Sequence, residues 1–128
     1  MNDSKNPLSP HLQIYRWQIS SLLSITHRIS GVINLIALLF ILFWLLVLSF
    51  GENYYESFLL IINSLFGKFI LIGFTWSMIF HALSGIRHLV WDFGYGFEIK
   101  TANISGIIVI IFSLLLTVIF WLLARGFI

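Results

Sequence analysis

Cysteine is absent from the 128-residue chain. Disulfides, thiolate metal ligation, iron–sulfur ligation and covalent c-type haem attachment by this chain are thereby excluded. Charge is nearly as scarce, with charged residues at 9% of the sequence against 59% hydrophobic and a mean hydropathy of +1.01. A soluble domain carries about a quarter of its residues as charges, so a water-exposed globule is excluded too. The few basic residues are dispersed, with no basic tract or basic–aromatic interleaving, so a net charge of +2 does not imply a nucleic-acid partner. Residues 1–14 are polar, hold Pro7 and Pro10, and contain no apolar segment of the kind a cleavable signal needs.

Long apolar runs are what the chain has in abundance. Stretches over about 29–50, 66–90 and 104–124 each reach the ~20 residues an α-helix needs to cross a ~30 Å hydrocarbon core. They do not alternate in polarity as barrel strands do. The expected fold is an all-α integral membrane protein: one domain over 1–128, with three transmembrane helices preceded by a short amphipathic N-terminal helix. The 51–65 connection mixes polar and apolar residues and is expected along the membrane interface, and Tyr54, Tyr55, Trp91 and Trp121 near span ends are expected as interfacial anchors. Lys5, Arg16, Arg28, Arg87 and Lys100 fall on one side, Lys68 and Arg125 on the other. This bias places the N-terminus on the cytoplasmic side, or the matrix side in an organelle.

Against this background "FHALSGIRHLVWDFG", residues 80–94, stands out. His81 lies on the order of 15 Å inside the second span, a costly depth for an ionisable group. Three readings compete: a structural tie to a neighbouring helix, a member of a proton or substrate path, or an axial ligand of a haem. Small residues one turn on, Ser84 and Gly85, suit a large flat macrocycle, although they equally suit helix packing. His88 shares the face of His81 but stands ~10.5 Å further along the axis, so one straight helix cannot offer both to one iron. With Arg87 and Asp92 it belongs to the interfacial rim. No other deep histidine exists in the chain, and Met78 is on the same helix, so a six-coordinate haem on His81 requires a ligand from a partner chain.

A second polar stripe lies in "QISSLLSITHRISGV", residues 18–32. Ser24, His27 and Arg28 are spaced i+3 and i+4, with Ser21 a turn earlier, on a helix whose other side is apolar. They lie at the membrane side where the second span ends. Such a cluster can hold haem propionates, lipid head groups or a quinone head, or serve as ordinary positive-inside anchoring.

With these residues in view, the chain resembles the cytochrome b subunits of succinate dehydrogenase, respiratory complex II. "PLSPHL" (7–12) with "SITHRIS" (24–30), and His81-x-x-x-Gly85-Ile86-Arg87-His88-Leu89-x-Trp91-Asp92-x-Gly94, match family signatures. Asn6 departs from the arginine usual before Pro7. The resemblance implies haem b, with His81 as axial iron ligand and a second small membrane-anchor subunit supplying the other. It implies ubiquinone as substrate at Ser24 and Arg28. His27 and Arg28 resemble propionate partners, and His88 is expected at the haem rim. Partners would be that second anchor, an iron–sulfur subunit and a flavoprotein subunit, in a bacterial or mitochondrial inner membrane. No residue of this chain is expected to oxidise succinate. The competing expectation is a haem-free membrane anchor or assembly subunit in which His81 is a structural tie.

Overall fold

The computed structural model describes residues 17–124. Four helices follow one another: α1 (Ile19–Ser49), α2 (Glu52–Ile62), α3 (Leu65–Asp92) and α4 (Ile99–Ala124). No strand occurs among the described residues. α1, α3 and α4 are each long and apolar enough to cross a membrane. At 31, 28 and 26 residues they run to ~39–47 Å, longer than a ~30 Å hydrocarbon core, so their end turns extend into the polar layer or the helices tilt.

The polar stripe at 18–28 is the opening of α1 itself and not a separate amphipathic helix. Nothing between Ile19 and Ser49 breaks the backbone, since neither proline of the chain falls there. Any helix before residue 17, and the "PLSPHL" segment with Asn6, lie outside the described residues. The 51–65 connection contains a helix, α2, entered through Gly51 at φ 105°, a conformation that a side chain would strain.

α2 turns into α3 at a tight corner. Ser64 caps α3 by accepting the Gly67 N–H at 3.1 Å. A Cβ on Gly67 would collide with the carbonyl oxygens of Ile61 and Ile62, which are backbone and cannot move aside. Gly67→Ala is therefore expected to open the α2–α3 corner at a cost of ~1–3 kcal/mol, read as a lower thermal midpoint of the detergent-solubilised protein; an unchanged midpoint would show that the corner relaxes freely.

The bundle is held by little apolar core. Leu23, Phe80 and Val109 are buried together with Ile19, Trp76 and Leu83 against them. Five further buried positions are small and polar: Ser30, Ser77, Ser84, Ser113 and Thr117. That composition suits a membrane, where lipid tails remove the hydrophobic drive between helices and close approach with hydrogen bonding takes over. α1 meets α3 through the Ser77 hydroxyl, 2.9 Å from Asn34 Oδ1 and 3.2 Å from the Ser30 carbonyl. α3 meets α4 where Trp76 Nε1 donates to Ser113 Oγ at 3.2 Å and Trp121 Nε1 to Thr75 Oγ1 at 3.3 Å. Trp121, expected as an interfacial anchor, is thus also a helix tie. At Gly106 of α4 a Cβ would strike Leu23 Cδ1 of α1, so this glycine permits the third contact.

Candidate functional site: a histidine stack between two helices

His81 sits on α3, half-buried, with its ring turned to α1. Its Nδ1 lies 2.9 Å from Ser30 Oγ and 3.2 Å from the His27 carbonyl oxygen. Ser30 Oγ already donates its only proton to that same carbonyl at 2.7 Å. The serine oxygen can then only accept, so His81 Nδ1 carries the proton and Nε2 holds a lone pair. Nε2 has no hydrogen-bond partner among the described residues. The close approach of α1 needs Gly31, where a Cβ would lie 3.3 Å from His81 Cε1.

The surroundings of His81 divide by helix geometry. Gly85, about 40° round the helix from it, faces open space, and a Cβ there would meet nothing within 4 Å. Ser84, about 60° round the other way, is 0% exposed and points into the bundle, with its hydroxyl unpartnered. The small pair expected on one open face therefore splits, and only Gly85 is on it.

His27 occupies the position the sequence least suggested. Its ring stacks on His81 with centroids 4.0 Å apart and planes at 10°. It also lies 4.9 Å from the His88 ring, tilted by 36°, and its Nδ1 is buried without a partner. His88 Nδ1 donates to the Ser84 carbonyl at 2.6 Å. Three imidazoles thus form a column in which His27 of α1 fills the gap between the two α3 histidines. His27 and His81 meet face to face, and no group of three His, Cys, Asp or Glu among the described residues could hold a metal ion on its own.

Arg87, expected at the rim beside His88, turns inward. It is 6% exposed, donates from Nε to Ser105 Oγ at 3.0 Å and from Nη2 to the Ala102 carbonyl at 2.9 Å. Its guanidinium lies 4.0 Å over the Trp91 ring. Its hydrogen-bonding capacity is directed at the start of α4, and Trp91 in turn donates to Gly96 across the α3–α4 loop at 3.2 Å. Of the three expected rim residues on α3, His88 and Asp92 remain, the latter exposed at the helix end.

Ser24 and Arg28 lie one turn apart on α1. Ser24 is half-buried and Arg28 exposed. Neither side chain makes a hydrogen bond or ion pair with a described residue, so both are available to a ligand. A cavity of about 560 Å³ between α1, α2 and α3 is lined by Phe40, Trp44, Phe58, Phe74 and other apolar residues and includes none of Ser24, His27, Arg28 or His81. The candidate site is an open helix surface.

Sequence reasoning missed Ser30 and Gly31. The signal was present as a Ser-Gly pair that recurs at 30–31 on α1, 84–85 on α3 and 105–106 on α4, although of these glycines only Gly31 and Gly106 lie against a neighbouring helix.

Comparison with known proteins gives these positions a context. Residues 2–120 match the family described as succinate dehydrogenase/fumarate reductase transmembrane subunit. The chain is 43% identical to the succinate dehydrogenase cytochrome b556 subunit of Rickettsia prowazekii over 118 residues, 92% of each chain. It is 36% identical to the cytochrome b556 subunit of Paracoccus denitrificans over 118 residues, 92% of this chain and 91% of that one. With the mitochondrial cytochrome b560 subunit of Mus musculus it shares 38% identity over 120 residues, 88% of this chain and 68% of the relative.

Proposed function

This chain belongs to the succinate dehydrogenase/fumarate reductase transmembrane subunit family, and from that premise we propose that it is the cytochrome b anchor of a succinate:ubiquinone oxidoreductase. It spans the inner membrane three times, with the N-terminus on the cytoplasmic or matrix side. It docks a second small anchor subunit, an iron–sulfur subunit and a flavoprotein. The flavoprotein oxidises succinate; this chain holds the membrane end of the electron path.

The observation that carries the reading is the state of His81. Nδ1 donates to Ser30 and the His27 carbonyl, while Nε2 keeps a lone pair with no partner among the described residues; Gly85, one turn on, adds no side chain to that face of the helix. A histidine ligand is typically held this way, its second nitrogen donating to an oxygen that fixes the ring. The residues present fit haem b: His81 would supply one axial nitrogen, with His27, Arg28 and His88 at the rim near the propionates. The second axial ligand would come from the partner anchor, because the column offers no opposed imidazole. When bound, haem b supplies a one-electron store in the membrane.

Arg28 and Ser24 form this chain's share of the ubiquinone site. Arg28 places a cation where negative charge develops on a quinone oxygen during reduction, and the Ser24 hydroxyl donates to that oxygen. Completion of the pocket falls to the iron–sulfur subunit and the other anchor.

One observation favours the second reading, a haem-free anchor. The same His81 hydrogen bonds join α3 to α1, as a purely structural tie would. The spectrum of the purified complex decides. A b-type band on dithionite reduction, at about one haem per copy of this chain, supports the first reading. A complex that carries all its subunits and no such band leaves the anchor alone.

A further inference from the structure

We infer that Ser30 is a positioning residue for His81, fixing the ring's tautomer and raising the donor strength of its Nε2. The inference rests on the haem reading of His81 and adds to it a residue of α1 that touches no ligand.

Ser30 is 2% exposed and faces only protein. Its hydroxyl is a relay with one arrangement of protons: His81 Nδ1–H donates to Ser30 Oγ at 2.9 Å, and Ser30 O–H donates to the His27 carbonyl at 2.7 Å. The direct contact from His81 Nδ1 to that carbonyl is longer, at 3.2 Å. The serine is therefore the nearer acceptor, and its polarity is enforced by the carbonyl behind it. Neutral imidazole has one N–H, so fixing it at Nδ1 leaves Nε2 as the donor to iron. A hydrogen bond from Nδ1 pushes electron density toward Nε2 and makes the ring a more basic ligand. A more basic ligand favours the oxidised iron.

Two features of the structure separate positioning from mere packing. Gly31 lets the ring lie against α1, with Cε1 3.3 Å from where a Cβ would stand, so the ring is held between backbone and serine. Ser77 offers a matched control. It is as buried as Ser30, at 1% exposure, and its hydroxyl joins the same two helices through Asn34 and the Ser30 carbonyl, yet it has no hydrogen bond to His81.

The test is redox titration of the b haem in purified intact complex from wild type, Ser30→Ala and Ser77→Ala. Ser30→Ala is expected to favour reduction threefold to tenfold, an upward shift of ~30–60 mV for a one-electron couple. Ser77→Ala is expected to leave the potential where it is. No shift in Ser30→Ala, a downward shift, or equal shifts in both variants would overturn the inference and leave Ser30 as a helix tie. If Ser30→Ala assembles without haem, Ser30→Thr, which restores the hydroxyl, is expected to recover the band; failure to recover it counts against the inference. The haem reading itself is judged separately by His81→Ala: a band unchanged in that variant overturns ligation by His81 whatever Ser30 does.

Discussion

A His81→Ala complex is expected to lose its low-spin b-type band after dithionite reduction while still assembling with its partner subunits. The two halves of this expectation have different physical sources. Loss of the band follows because no second nitrogen on α3 can replace Nε2: His88 is seven residues on, ~10.5 Å along the axis, and its Nδ1 is committed to the Ser84 carbonyl. His27 does not substitute either, since its ring lies flat against His81. Assembly survives because the hydrogen bond lost is one N–H shared between two oxygens, worth ~1–3 kcal/mol when its partners are left unpaired. α1 and α3 stay joined through Ser77 and Asn34 and through the Leu23–Phe80 core. A haem-free anchor makes the opposite forecast, a lower thermal midpoint and an unaltered spectrum, so a single preparation measured both ways separates the readings. His88→Ala is the internal comparison, and it is expected to keep the low-spin band.

The sequence made the three spans legible because apolar runs of that length have few alternatives in a chain with 9% charge. The depth of His81 and the impossibility of pairing it with His88 followed from helical rise alone. What periodicity within one helix cannot reveal is which flank of a helix its neighbours cover. Ser84 and Gly85 are adjacent in sequence and form one small pair by spacing, yet the first is sealed in the bundle and the second is open. Arg87 read as a rim charge for the same reason, since nothing in α3 announces that Ser105 and Ala102 of α4 will receive its guanidinium. The stacking of His27 on His81 depends on the depth match of two helices 54 residues apart in the chain, a quantity set by tertiary packing. α2 was obscured by composition: its aromatic and charged residues read as interface, and a helix lying in an interface has the same composition.

Arg28→Ala is expected to lower succinate:ubiquinone reductase activity by roughly 10²-fold, the scale for removing a preorganised donor at a developing negative charge, with succinate oxidation by an artificial dye unchanged. Arg28 and Arg87, the two arginines at this membrane face among the described residues, differ in what holds them. Arg87 spends its guanidinium on Ser105, Ala102 and Trp91, whereas Arg28 is exposed and makes no hydrogen bond or ion pair with a described residue. On the proposed reading, Arg28 and not Arg87 has its charge available to a substrate oxygen. That charge counts for more at a membrane boundary than in bulk water, because an effective dielectric constant near 20 raises a 4 Å interaction to ~4 kcal/mol from ~1. Ser24→Ala removes a neutral hydrogen bond worth ~1 kcal/mol and is expected to cost about fivefold in the same assay. Arg28→Lys keeps the charge and loses the planar fork, so it is expected to fall between the two. On the proposed reading dye reduction needs only the flavoprotein and iron–sulfur subunits, so its ratio to quinone reduction isolates the membrane step. Arg87→Ala is expected to lower both activities together, since it frees the α3–α4 loop and weakens the anchor itself. If Arg28→Ala instead lowers both in proportion, its role is in assembly, and the quinone assignment to this face of α1 falls.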